Sequence, residues 1–359
     1  MHILSRITLV GIMAWTGVSV AHGTEHPRQL NAPPIATFSI VARDPATGDY
    51  GVAVQSRFFA VGEVVPHAAA NTGAVATQAR ANLLYGDQGL ALLGSGMSAE
   101  SVIETLTRAD PLRAHRQVGV VDRRGEAAIF TGEDCIDWAG GRVGVGYAVQ
   151  GNLLAGPQVI DAMAVAYEQG DGKFAERLLD ALHAGQAAGG DARGRQSAAL
   201  LVVREGGGYL GLNDRYIDLQ VEDDPTPIIE LERLLNIRLA QLDNHAAIGL
   251  LGRAMYADDD EQVALLAEAA VLLERAVRRH PLNDYSWWTL AKVRLAQQEP
   301  DAAAIAAVRA LQANPVWRNL PSSTRQALGI PSEFIAKLLE NASFRRHWDS
   351  LAARQQAGP

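Results

Sequence analysis

Residues 37–56 read TFSIVARDPATGDYGVAVQS. Two runs of strand-forming residues, TFSIVAR and YGVAVQS, flank DPATGD, where Pro45 and Gly48 suit a tight turn. The stretch therefore predicts a β-hairpin and, with it, an antiparallel sheet. Its first residue, Thr37, has two readings. It is a β-branched residue that opens a strand well, or it is a nucleophile whose own amino group, once freed, serves as the base.

Working outward, GAVATQA (73–79) is a third short strand, and a helix is expected from about Asp87 to Arg108, with Ser98 as an N-cap that divides it in two. RQVGVVD and EAAIFTG flank RRG as a second hairpin, and VGYAVQGN (145–152) is a further strand. Pro157 starts a helix that Gly170 ends. The next helix, KFAERLLDALHAG, places Phe174, Leu178 and Leu182 on one stripe. QSAALLVVRE and RYIDLQVED are two more strands, and TPIIELERLLNIRLAQL is a helix. Hairpins thus alternate with helix pairs, which predicts an α+β domain in which helices cover the outer faces of two stacked sheets.

Both ends of the chain differ from this middle. MHILSR followed by ITLVGIMAWTGVSVA and the small residues SVAHG has the form of a secretory signal peptide over residues 1–23, and TEHPRQLNAPPIA (24–36) reads as an extended linker. A periplasmic or secreted protein is expected, with no membrane span once the signal is removed. Past about residue 245 strand signals vanish and alanine dominates. AEAAVLLERAVRRHP and PDAAAIAAVRALQANP align, with Pro281 and Pro315 spaced by 34 (315 − 281), as are Ala276 and Ala310. Trp287, Leu290 and Ala291 open the second unit. This period resembles a tetratricopeptide repeat, in which small residues let paired helices approach closely. Residues 243–359 are expected to be such a helical region, available to a protein partner and closed by PSEFIAKLLENASFRRHWDSLA as a cap.

Composition narrows the function. The 359 residues carry a net charge of −8 and no Lys/Arg-rich run, which argues against nucleic-acid binding. Neither HExxH nor CxxC spacing occurs, nor a GxSxG elbow, nor a phosphate loop. The G-x-G in GGRVGVGYAVQGN leads into a strand rather than a helix, against dinucleotide binding. No cofactor or metal is expected. Cys135 is the only cysteine and reads as a small buried residue.

Three polar stretches interrupt the apolar pattern. YAVQGNLLAGP puts Gln150, Gly151 and Asn152 at a strand end, where amides could hold an oxyanion. ATQARANLLYG puts Thr77, Gln78 and Asn82 beside Tyr85. GQAAGGDARGRQSAALLVV sets Asp191, Arg193 and Arg195 in a glycine-rich loop, where an Asp191–Arg195 pair could shape a wall or bind a substrate carboxylate.

These stretches, together with TFSIVARDPATGDYGVAVQS, GAVATQARANLLYG and RQVGVVD, resemble the bacterial family catalogued as domain of unknown function 1028, over residues 37 to about 242. The family is grouped by fold with N-terminal nucleophile hydrolases. The resemblance therefore implies a four-layer αββα sandwich with Thr37 in the nucleophile's place. Thr37 should then face a cleft lined by some of Gln55, Ser56, Thr77, Gln78, Asn152, Asp191 and Arg195. Asn152 would steady the oxyanion, and the remainder would bind the substrate, an amide or small peptide. One departure bears on this. Signal cleavage after Ala21 or Gly23 leaves 15 or 13 residues ahead of Thr37 (36 − 21, 36 − 23), so a free amine needs a second cut between Ala36 and Thr37. Two classes stay open: an exported amidohydrolase, and a non-catalytic periplasmic binding or scaffold protein.

Overall fold

A computed structural model describes residues 37–356; the expected signal peptide and linker lie outside them. The strands are β1 (Thr37–Arg43), β2 (Tyr50–Ser56), β3 (Pro66–Ala69), β4 (Gly73–Ala79), β5 (Arg116–Asp122), β6 (Ala127–Thr131), β7 (Gly140–Gly144), β8 (Tyr147–Asn152), β9 (Ser197–Val203) and β10 (Arg215–Val221). They form two antiparallel sheets, a six-stranded one ordered β10-β9-β2-β1-β8-β7 and a four-stranded one ordered β3-β4-β5-β6. Hairpin β1–β2 forms as its sequence predicts, Thr37 opposite Ser56 and Arg43 opposite Tyr50.

Strand side chains alternate between faces, and β1 shows where each face goes. Phe38, Ile40 and Ala42 join a cluster with Val159 and Met163 of α3 (Gln158–Gln169) and Leu178 and Leu182 of α4 (Phe174–Ala187). Val41 instead joins Val52, Val54 and Ala148 of its own sheet and Ala74, Ala76 and Val121 of the other. The second sheet's outer residues, Val75, Val118 and Val120, pack on Leu93 of α1 (Leu84–Gly94) and Val102 and Leu106 of α2 (Ala99–Arg108). Ser98 does separate these two helices, its hydroxyl accepting from the Ser101 backbone N–H at 3.3 Å. Helix α4 lies so close to β2 that a Cβ on Gly51 would fall 2.5 Å from Leu178 Cδ1. Gly51 permits that approach.

The remainder is helical. Helix α5 (Pro227–Ala254) packs Leu231, Leu235 and Leu239 on the outer face of the six-stranded sheet and then continues past it. The expected boundary at 242–243 falls inside this one helix, whose second half pairs with α6 (Asp259–Arg279). Helices α7 (Asp284–Ala296) and α8 (Pro300–Ala313) form a hairpin with Leu290, Ala303 and Ala310 buried in it. Short helices α9 (Ser322–Ala327) and α10 (Ser332–Leu339) and then α11 (Ala342–Gln356) complete the region. Ile335, Leu338, Phe344 and Trp348 close the same apolar cluster, at the place expected for the cap. Among the described residues no helix is long and apolar enough to cross a membrane.

Candidate functional site

Thr37 begins β1 in the interior of the six-stranded sheet, flanked by Ser56 of β2 and Asn152 of β8. Ser56 in turn lies opposite Ser197 of β9. Residues directly opposite one another in a sheet share a face. Four polar side chains, Ser197, Ser56, Thr37 and Asn152, therefore form one row across four strands on the face that looks at the second sheet. All four are buried. The Thr37 hydroxyl donates to Ser56 Oγ at 3.1 Å, and Ser197 Oγ donates to the Phe58 carbonyl at 2.5 Å.

A second set of polar groups joins this row to the opposite sheet. Ser39 donates to Gln78 Oε1 at 2.6 Å. Gln78 Nε2 donates to the Thr37 carbonyl at 3.3 Å and to Gln117 Oε1 at 2.8 Å. Asn152 Nδ2 donates to the same Gln117 oxygen at 3.1 Å. Gln117 Nε2 reaches the Gly151 carbonyl at 2.8 Å, and Gln150 Nε2 reaches the Ala76 carbonyl at 2.9 Å. Buried amides are tolerated only when so bonded. Gln150 Oε1 is an exception, with no partner.

The loop around Asp191 runs past the start of β1. Its Ala192 N–H donates to the Leu153 carbonyl, just beyond β8, and the Arg57 N–H, just beyond β2, donates to Asp191 Oδ2 at 2.9 Å. Since β1 lies between β2 and β8, the loop spans the Thr37 end of the sheet. Asp191 is buried, but its partner is Arg193, through Nη2 at 3.0 Å and Nε at 3.2 Å. The Asp191–Arg195 pair expected from sequence does not form. Arg195 is exposed, and its carbonyl accepts from Arg57 at 2.8 Å. The glycines at 190 and 194, at φ +60° and +113°, set the turn that brings residue 193 rather than 195 back onto the carboxylate.

Two further expectations are corrected by strand alternation. Gln55 is adjacent to Ser56 and so faces the opposite way, toward the α3–α4 layer, where neither of its amide atoms has a partner. Thr77 is adjacent to Gln78 and faces α1; its hydroxyl donates to the Asn82 carbonyl at 3.3 Å. Of the candidates, the structure brings together Thr37, Ser56, Gln78 and Asn152, with Asp191 beside them. It leaves Gln55, Thr77 and Arg195 apart.

Beside Asn152 the interior opens into a hollow of about 170 Å³, lined also by Ala79, Arg80, His115, Asp134 and Cys135. His115 Nε2 is 3.5 Å from Asp134 Oδ2. Burial pushes the Cys135 thiol up to about 11, so it is protonated at neutral pH and a poor nucleophile. The rim is held by Asp110, which accepts from Arg116 Nε at 2.9 Å, Tyr85 at 3.0 Å and Asn82 at 3.1 Å. Burial opposes ionisation of Asp110, but these bonds and the Arg116 charge outweigh it and hold the carboxyl below its usual range. Sequence reading missed Ser39, Gln117, His115 and Arg80 as site residues, and took Ser197 only as the end of the glycine-rich stretch. Gln117 and Ser39 were signalled only as lone polar positions on the inward register of apolar strands. Among the described residues, no group of three or more His, Cys, Asp or Glu is placed to hold a metal ion.

These features define a mixed α+β protein with two antiparallel sheets, a polar row at one end of the space between them, and a C-terminal all-helical region. The chain belongs to the family of unknown function DUF1028, whose pattern matches residues 37–231. A crystal structure of a Silicibacter pomeroyi protein of that family is 34% identical, covers 56% of this chain and 88% of its own, and superposes with a TM-score of 0.51. No curated protein matches the chain.

Proposed function

We propose that this is an exported amidohydrolase acting on an amide or small peptide, with Thr37 as the nucleophile after cleavage of the Ala36–Thr37 bond. The observation that carries the reading is the position of Thr37. It stands on an interior strand, on the face between two sheets whose outer faces are covered by helices, with hydroxyl and amide groups on either side. This position supports reading the domain as the four-layer arrangement in which N-terminal nucleophile hydrolases hold their first residue.

The chemistry follows from the groups present. A freed α-amine titrates near ~8, so it takes the Thr37 hydroxyl proton at neutral pH. Thr37 Oγ1 bonds to the substrate's carbonyl carbon. The resulting oxyanion accepts from Asn152, whose amide has two N–H donors and gives one to Gln117. The C–N bond then breaks, the amine leaves with the proton, and water hydrolyses the acyl ester. Ser56 at 3.1 Å orients the attacking hydroxyl. The hollow beside Asn152 is small, which suits a compact acyl group.

Intact mass and N-terminal sequencing of protein recovered from the periplasm test this. The expected chain starts at Thr37, and Thr37→Ala then abolishes the amidase activity found in a substrate screen. A mature chain starting near His22 or Thr24 rules the free-amine mechanism out. One observation favours the second reading, a non-catalytic binding or scaffold protein whose helical hairpins dock a partner. Thr37 is fully buried and amides fill the space in front of it.

A further inference from the structure

A second hollow, of about 470 Å³, lies at the other end of β1 from Thr37, between the β1–β2 turn, the start of α4, β9, β10 and α5. Its volume falls within the ~300–1,000 Å³ typical of small-molecule sites. It shares no lining residue with the hollow beside Asn152. Phe174, Val202, Ile217 and Leu239 give it an apolar wall.

Five charged residues also line it, and three of them are committed. Arg204 donates to both carboxylate oxygens of Asp49, at 2.8 and 2.6 Å, and Lys173 stands 3.5 Å from Asp243. Asp44 and Arg177 differ. Asp44 is only 7% exposed, and no cation among the described residues pairs with it. Its Oδ2 accepts from Thr47 at 2.7 Å, whereas its Oδ1 has no partner and keeps accessible surface. Arg177 lays its guanidinium over the Tyr167 ring, 4.4 Å from the centroid, and gives Nε and Nη2 to the Tyr167 carbonyl at 3.3 and 3.2 Å. No carboxylate among the described residues pairs with it, and its Nη1 is accessible and without a partner. Both charges reach Tyr167. Burial pushes that phenol up to about 12, the Arg177 charge working against the rise and the Asp44 charge with it. Two opposite charges thus stand near each other in one hollow without pairing.

We propose that this hollow binds an apolar zwitterion, a free amino acid or a short peptide, with its ammonium on Asp44 and its carboxylate on Arg177. A carboxylate buried this deeply needs a cation, because one hydroxyl donor offsets only part of its lost hydration. An ammonium at Oδ1 supplies it. The ligand's carboxylate accepts from Arg177 Nη1, a charge-assisted bond. An apolar side chain then covers the wall of Phe174, Val202, Ile217 and Leu239. A simple cation would leave Arg177 unpaired, and a simple anion would face Asp44. A neutral apolar ligand would leave both charges as they are.

Isothermal titration of the full chain at neutral pH with leucine, phenylalanine and the dipeptide leucyl-leucine, each to about 10 mM, tests the proposal. Leucinamide, which lacks the carboxylate, and N-acetylleucine, which lacks the ammonium, are the controls. At least one zwitterion should bind at a single site, and both controls should bind it about tenfold more weakly or not at all. Tighter binding of leucine or phenylalanine marks a free amino acid as the ligand, and tighter binding of leucyl-leucine marks a peptide. Asp44→Asn, which is nearly isosteric, and Arg177→Gln should each weaken binding by about tenfold or more, with thermal melts confirming that the variants fold. The proposal is overturned if no zwitterion binds, if either control binds as tightly as the zwitterion, or if Asp44→Asn leaves binding unchanged.

Discussion

Asp243→Asn should uncouple the helical region from the strand domain, and the structure sets the size of the effect. Asp243 lies on α5, 4% exposed. It accepts from Arg275 of α6 at 2.7 Å (Nε) and 2.6 Å (Nη2), and Lys173 at the start of α4 stands 3.5 Å away. One carboxylate thus ties together a helix of each region. Removing one member of a buried pair costs ~3–5 kcal/mol when the other stays buried. That ceiling does not apply, because Arg275 and Lys173 are 36% and 45% exposed and regain water. Asparagine also keeps one acceptor. Hydrogen bonds to charged groups contribute ~1.5–3 kcal/mol, so a loss of about 2 kcal/mol is expected. At ~2–4 °C per kcal/mol for domains of this size, the melting transition should fall by roughly 4–8 °C.

The pH dependence has a definite sign. Burial raises the Asp243 pKa, but the Arg275 hydrogen bonds and the Lys173 and Arg275 charges outweigh it and hold the folded value below the usual one. A depressed carboxyl contributes fully above its unfolded value of about 3.9 and loses that contribution as pH falls through the folded value. The gap between wild type and Asp243→Asn should therefore be constant near neutrality and close in acid. Thermal melts followed by circular dichroism across that range decide it. Equal transitions at neutral pH, or a gap that widens in acid, would refute the coupling.

Gln55→Met should stabilise the protein by about 1 kcal/mol or more. It replaces an amide whose two polar atoms are buried without partners by an apolar side chain of similar length. A fall in the denaturation midpoint would mean that the amide has a role on the helix-facing side of the sheet. Ala303→Leu should cost on the order of 1–3 kcal/mol, because Ala303 is fully buried in the α7–α8 hairpin and a larger side chain must displace its neighbours. An unchanged urea midpoint would place the helix crossing elsewhere.

Much of the fold was legible because β1, β2, β4, β5 and β9 are apolar runs bounded by turn residues, and because Ser98 and Pro157 mark helix starts. Strands β3 and β7 were not, and both lie at sheet edges. PHAA opens on a proline, which an edge tolerates and an interior strand does not, and GGRVG, with three glycines in five residues, has few side chains to give a strand pattern. The division into two regions was legible in composition, but its place was not. Helix α5 carries one face to the sheet and then another to α6 without a break, so no turn residue marks the change.

For the candidate site, alternation along the strand separates the residues that sequence order groups together. Ser56 and Gln55, or Gln78 and Thr77, are neighbours in the chain but face different layers, and only the inward register shared with Thr37 and Ser39 places Ser56 and Gln78 at the site. The partner of Asp191 depended on backbone turns at Gly190 and Gly194, which residue type alone does not specify. Gln117 came into the site through pairing between distant strands.

The distribution of polarity between the sheets bears on function. At one end the interface is filled by Val41, Val52, Val54, Ala74 and Val121. At the Thr37 end it holds Ser39, Gln78, Gln117, Gln150 and Asn152, all buried. A satisfied amide network is at best comparable in stability to an apolar filling, and an incomplete one is worse. Gln150 Oε1 lacks a partner, so this network is incomplete. Packing the two sheets requires no amides, as the other end of the same interface demonstrates. Stability alone therefore gives no reason for the polarity at the Thr37 end, whereas a reaction at Thr37 would need hydrogen-bond donors held in place there.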